Sequence, residues 1–140
     1  MRILAVDHGE KRIGLAVSDP TGTVANPLAV IEHVSRLIDA AQVAQIAAEQ
    51  GVGLIVVGQS LDDNGKPTFE GRRAGRFAAS LRQQTRLPVE FWDEDLSTRT
   101  ARSARIAMGV PRSKRAGHLD DLAAAVILQS YLDAHPNPGE

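Results

Sequence analysis

The chain reads as a single α/β domain: a mixed five-stranded sheet, three antiparallel strands followed by βαβ crossovers, covered by helices. Three observations predict it. Apolar runs separated by tight turn signals fill the first thirty residues, as in consecutive hairpins. After Ser35 the apolar spacing changes to the helical period, and short apolar runs then alternate with helical segments, the mark of crossover connections. With 140 residues and 43% apolar composition, the chain has material for one domain and one core.

The elements follow in order. Residues 2–7 form a buried strand and His8-Gly9-Glu10-Lys11 a turn. Residues 12–18 form a second strand, near enough in sequence to pair as a hairpin. Asp19-Pro20-Thr21-Gly22 turns the chain into a third strand over roughly 23–31, where Pro27 predicts an edge position. Ser35 caps a helix with Leu37, Ile38, Ala41, Ala44 and Ala48 as its apolar stripe, and Gly51 stops it. Residues 53–58 are a short apolar strand suited to the middle of a covered sheet. A polar loop over 59–68 precedes a helix carrying Ala74, Phe77, Ala78 and Leu81 at i, i+3, i+4, i+7. Pro88 precedes the fifth strand, residues 89–92. Ser97 or Thr98 caps a third helix ending at Gly109, residues 111–118 are a basic loop, and the last helix runs from about Asp120 to Ala134. We expect the domain to cover 1–134, with residues 135–140 a disordered tail. The first strand belongs near the centre of the sheet, with Asp7 at its C-terminal end beside the ends of the fourth and fifth strands. Ligands of open α/β sheets collect at that edge.

Bulk properties exclude several classes. The formal charge is −1 and the pI about 6.4, so no global field draws the chain to nucleic acid, and binding must come from a local patch. The absence of cysteine excludes disulfides and thiolate metal sites. The opening apolar run is too short for a signal sequence, and nothing approaches a membrane span, so the expectation is a soluble, cytoplasmic protein.

Acidic residues cluster at element ends: Asp7 after the first strand, Asp93-Glu94-Asp95 after the fifth, Asp120-Asp121 at the start of the last helix, and Asp19 behind them. Carboxylates converging from separate elements make a hard-oxygen cage suited to Mg²⁺ or Mn²⁺, the layout of a metal-dependent phosphodiester hydrolase. Each motif also has a plainer reading, as a turn-forming Asp, a solvated loop or a helix cap. Strand alternation sends Asp93 and Asp95 to one side and Glu94 to the other. Helical phase favours Asp120 over Asp121, because Asp120 stands one turn before the apolar stripe Ala124, Ile127, Leu128, Tyr131. No acid occurs between Leu96 and Leu119, a stretch that holds Arg99, Arg102, Arg105, Arg112, Lys114 and Arg115. The first three recur at i, i+3, i+6. The stripe is either a solvated helix face or a phosphate-tracking patch, and its position between two acidic motifs favours the patch. Lys11 and Arg12 extend it near Asp7. The four histidines lack ligand spacing, but His8 and His118 adjoin acidic motifs and are candidates for orienting water.

The run Asp7-His8-Gly9-Glu10-Lys11-Arg12-Ile13-Gly14-Leu15-Ala16-Val17-Ser18-Asp19 resembles the opening motif of the YqgF (RuvX-like) family. The likeness continues at Ile55-Val56-Val57-Gly58, at Trp92-Asp93-Glu94-Asp95-Leu96-Ser97-Thr98, and from Asp120-Asp121-Leu122 to Leu132. It implies an RNase H-like fold, a nuclease that matures the 5′ end of the small-subunit ribosomal RNA precursor, and Asp7, Glu94 and Asp120 as the metal-binding catalytic acids. Asp7 would bridge two ions, with one each on Glu94 and Asp120. Precursor RNA, and possible ribosomal precursor particles, are the expected partners of a monomer or weak dimer. Three departures stand out. Asp95 replaces an arginine usual in the family, Ser60 stands where proline is common, and Gly58-Gln59-Ser60 lacks the acid that many RNase H-like nucleases carry after the fourth strand. The alternatives are a Holliday-junction-type DNA resolvase, a non-catalytic RNA-binding assembly factor of the same fold, and an actin-like nucleotide-binding module, for which one domain is too little.

Overall fold

The structure is a computed structural model that describes residues 1–95 and 119–136, with the backbone alone for 119–121. Strands β1 (Ile3–His8), β2 (Arg12–Ser18), β3 (Ala25–Glu32), β4 (Leu54–Gln59) and β5 (Val89–Asp93) form one sheet in the order β3-β2-β1-β4-β5. β1 pairs antiparallel with β2 and parallel with β4, β2 pairs antiparallel with β3, and β4 pairs parallel with β5. The mixed five-stranded sheet, the central first strand and the edge position of Pro27 are as the sequence predicts. Pro27 sits at a register shift against Leu15 and Ala16, where a missing N–H does least harm.

Helices α1 (Arg36–Glu49) and α2 (Phe69–Gln84) cover one face of the sheet and α3 (Leu119–Ala134) covers the other. Strand alternation divides the core accordingly. Leu4, Val6, Ile55 and Val57 pack with Val43, Phe77 and Leu81 under α1 and α2. Ile3, Ala5, Leu54 and Val56 pack with Ala124, Ile127, Leu128 and Tyr131 of α3. The α2 and α3 stripes are those the helical period predicts. At the far end of α3, the Tyr131 hydroxyl donates to Glu90, and its pKa is pushed up to about 12 by burial and then by that carboxylate. His135, assigned to the tail from sequence, stacks on the Tyr131 ring at 4.1 Å; residues 137–140 lie outside the described residues.

Helix α1 departs from its sequence reading. Ser35 is the N-cap, its hydroxyl accepting from the Ile38 N–H. The buried face, however, is Asp39, Ala40, Val43 and Ala47, while Leu37 and Ile38 are 59% and 52% exposed. A polar anchor sets this rotation. The fully buried Asp39 carboxylate accepts from the Val34 N–H and pairs with the His33 imidazole, so α1 must turn Asp39 inward. Alanine-rich helices carry little apolar contrast to oppose such an anchor.

Candidate active site

Asp7 is the fifth residue of β1 and alternates with Ile3 and Ala5, so it lies on the α3 face, at the C-terminal edge of the central strand, opposite Gly14 of β2. Glu94 follows the last residue of β5. It continues the alternation of Glu90 and Trp92, which reach α3 through the Glu90–Tyr131 hydrogen bond and a Trp92 Nε1 to Ser130 bond of 3.0 Å. The two acids approach each other there: Asp7 lies near enough to act on the Glu94 carboxyl, and a hydrogen bond between the two needs a proton on one of them. Burial pushes the Glu94 carboxyl up from the ordinary range, and the charges of Asp95, Asp93 and Glu70 push it further, while the Asp7 bond opposes them. A pair of acids held together under this much negative charge is a site that favours a cation or a retained proton.

Gly58 makes the meeting possible. It ends the buried part of β4, beside Trp92 in the ladder. A Cβ placed there would lie 2.7 Å from Ile127 Cδ1, 3.2 Å from Glu94 Cγ and 3.3 Å from Glu94 Oε1. The fourth strand thus supplies space instead of a carboxylate, and Glu94, just after the fifth strand, occupies it. In the sequence Gly58 ends the apolar fourth strand and belongs to a family-like motif, and nothing local signals that a neighbour needs its space. We predict that Gly58→Ala costs about 1–3 kcal/mol of stability through overpacking. It should also lower cleavage by roughly 100-fold through displacement of Glu94. Chemical denaturation and single-turnover cleavage check the two numbers; unchanged cleavage would mean that Glu94 need not sit over β4.

Asp120 lies in the first turn of α3, one turn before Ala124, which is fully buried against the sheet. Among the described residues no group of three acidic or histidine side chains is arranged to hold a metal ion. Asp7 and Glu94 are two such residues, and the Asp120 side chain is not among those described. Asp95 is exposed, and its N–H donates to Asp93 Oδ1 at 2.9 Å.

Other acidic and histidine candidates have different work. Asp19 accepts from the Thr21 hydroxyl and from the Thr23 and Val24 N–H groups, closing the β2–β3 turn. Those bonds hold its carboxyl far below the usual range. His8 does not orient water beside Asp7. As the next residue on the strand it points to the opposite face, its ring 4.8 Å from that of Phe77. Burial lowers its pKa and the Arg73 charge lowers it further. His118 lies outside the described residues. Arg12 forms an exposed ion pair with Glu32 at 3.7 Å, and with Lys11, Gly9 and Glu10 it lines an open surface cavity of about 360 Å³ on the β1–β2 turn. Arg99, Arg102, Arg105, Arg112, Lys114 and Arg115 lie outside the described residues. No helix among the described residues is long and apolar enough to cross a membrane.

A family model described as "RuvX: Holliday junction resolvase" matches residues 1–134. Curated relatives called "Putative pre-16S rRNA nuclease" include one from Thermoanaerobacter pseudethanolicus, 39% identical over 138 residues, covering 98% of this chain and 99% of the relative. Another, from Geobacillus kaustophilus, is 44% identical over 136 residues, covering 96% and 99%. Among solved structures, T. thermophilus RuvC in complex with Holliday junction substrate superposes with a TM-score of 0.62 at 17% identity, covering 96% of both chains. The fowlpox virus Holliday junction resolvase gives 0.57 at 16% identity, covering 96% and 99%. The two structures establish the fold, which is RNase H-like. With a family model spanning nearly the whole chain and relatives near 40% identity end to end, this chain belongs to the RuvX (YqgF) family.

Proposed function

We propose that the chain is a metal-dependent nuclease that processes the 5′ end of pre-16S ribosomal RNA, with Asp7, Glu94 and Asp120 holding Mg²⁺ or Mn²⁺. Membership in the family makes it a phosphodiester hydrolase. The precursor-RNA substrate is carried over from the curated relatives, whose shared name states it. The observation that supports the site is the convergence of Asp7, at the end of β1, and Glu94, packed over Gly58 of the neighbouring β4, with the charges of Asp95, Asp93 and Glu70 acting on Glu94. These groups fit a divalent cation: the donors are hard oxygens, and the local charge is excessive without one.

Such ions, when bound, would activate a water and stabilise the leaving oxygen. The chain's own residues do the rest. Asp7 presents its carboxylate from the central strand, paired with Gly14 of β2 and one residue past the Val6–Val57 pair with β4, so the ladder positions it. Glu94 closes on it from the fifth strand over Gly58. Asp120 supplies the third carboxylate from the start of α3. The basic stretch from Arg99 to Arg115, with Lys11, tracks the phosphates, while Arg12 is already engaged with Glu32. The partner is nucleic acid, and the product side needs no covalent enzyme intermediate.

Defined substrates test this. Pre-16S RNA fragments and a four-way DNA junction are compared with Mg²⁺ or Mn²⁺. Cleavage of the RNA at the mature 5′ end supports the proposal, preference for the junction favours a resolvase, and binding without cleavage by either favours an assembly factor. For the basic stretch, Arg99, Arg102 and Arg105 all replaced by Ala should weaken RNA affinity and flatten its salt dependence, by about 0.7 in the log–log slope for each phosphate no longer neutralised. A wild-type slope in the triple variant would mean that the three arginines are only a solvated face.

A further inference from the structure

The first turn of α2 carries a feature that folding does not require. Phe69, its first residue, is 61% exposed, whereas the buried stripe of the helix is Gly71, Ala74, Phe77, Ala78 and Leu81. A lone exposed apolar residue is ordinary. This one is held and faces a cavity. The Arg72 guanidinium stands over the ring at 6.0 Å and is itself anchored on the Pro67 carbonyl. Phe69, Glu70 and Arg73 form one wall of a cavity of about 150 Å³ whose other wall is His8, Gly9 and Glu10. His8 follows Asp7 and points to the opposite face, so the cavity lies at the same C-terminal edge of the sheet as the candidate active site but on its α2 side, within one residue of Asp7 along the strand.

The two walls are fixed in place. Gly71 brings the helix start against the preceding loop so closely that a Cβ would fall 2.1 Å from the Ser60 carbonyl oxygen. The Thr68 hydroxyl caps the helix through the Gly71 N–H. Gly9 closes the opposite turn, its N–H donating to the Arg12 carbonyl at 2.9 Å. The contents of the cavity define a ligand. An exposed aromatic ring offers stacking to any planar heterocycle. Glu10 and Glu70 accept hydrogen bonds and disfavour a phosphate inside. Arg73 makes no ion pair among the described residues and can hold a phosphate at the rim. The volume is below the roughly 300–1,000 Å³ of pockets for drug-sized ligands, which suits one ring system.

We propose that this cavity seats a single unstacked base of single-stranded RNA, stacked on Phe69, with its exocyclic amine toward Glu10 and Glu70 and its flanking phosphate on Arg73. The proposal deepens the nuclease reading and rests on it for the identity of the strand. It assigns substrate positioning to one wall beside the acids. It also predicts a preference for cytosine, adenine or guanine over uracil, which has no amine to offer carboxylates.

The test is binding of a short labelled single-stranded RNA in EDTA, by fluorescence anisotropy, so that no cleavage intervenes. Stacking contributes about 1–3 kcal/mol per base, so Phe69→Ala should lose on the order of 10-fold in affinity while the salt slope stays that of wild type. Phe69→Trp should restore affinity and Phe69→Leu should not, which separates stacking from bulk. Arg73→Ala should instead lower the slope by about 0.7. Wild-type affinity in Phe69→Ala, or equal rescue by Leu and Trp, would overturn the base seat. Adding Mg²⁺ or Mn²⁺ then tests the nuclease reading separately. Phe69-dependent binding with no cleavage would remove that reading and leave the seat standing.

Discussion

Asp7→Asn should reduce cleavage by at least about 100-fold while leaving the fold intact. Groups that merely orient metal ligands typically account for 10–100-fold, and a direct ligand should exceed that. Asn preserves the size of the side chain and removes its charge, and β1 remains buried between β2 and β4. The Asn amide can donate to the Glu94 carboxylate with no proton held between two acids, so the thermal midpoint of the metal-free protein should stay equal or rise. Single-turnover cleavage and a thermal scan in EDTA measure both. Residual cleavage within about 10-fold of wild type, from a clean preparation, would move the chemistry away from the β1 edge; a large fall in the midpoint would show that Asp7 is structural.

Asp39→Ala should be strongly destabilising on the opposite face, by about 3 kcal/mol. Deleting the carboxylate leaves the Val34 N–H and the His33 imidazole without their acceptor, and each buried polar group left unsatisfied costs about 1–3 kcal/mol. The variant loses the acceptor of the Val34 N–H as well as the His33 partner, both at the corner where β3 turns into α1. For a domain of this size the midpoint should fall by about 10 °C. Asp39→Asn keeps an acceptor oxygen for Val34 and should cost distinctly less. Because Asp39 lies under α1, on the face away from Asp7, metal-dependent cleavage by the folded fraction should not change. A shift below about 2 °C in Asp39→Ala would mean that the pair does not fix the rotation of α1.

Much of the molecule was legible in the chain. The five strands, the edge position of Pro27, and the stripes of α2 and α3 follow from period and turn chemistry, because each is decided by neighbours in sequence. Asp7 was marked by its place at the end of a buried strand, and the likeness to a known family singled out Glu94 among three consecutive acids. Alternation along β5 explains that choice physically: Glu94 shares the face of Trp92, toward α3, and meets Asp7 there.

Other features were settled by contacts between distant segments. The face of α1 was misread because apolar spacing ranks Leu37 and Ile38 above Asp39, and only the approach of His33 and Val34 makes a buried carboxylate tolerable. His8 looked like a companion of Asp7 because the two are adjacent, yet adjacent strand residues point to opposite faces, and Phe77 claims its ring. Gly58 looked like a deficit until Glu94 and Ile127 were found against it. Within the described residues the sequence by itself determined which elements form and which residues stand at their ends, since those depend on local periodicity; the helix expected to end at Gly109 and the basic loop 111–118 lie outside them. The tertiary structure decided which ends meet, which way a helix of weak apolar contrast turns, and that the first turn of α2 closes a cavity against the β1–β2 turn, because each rests on packing between residues far apart in the chain.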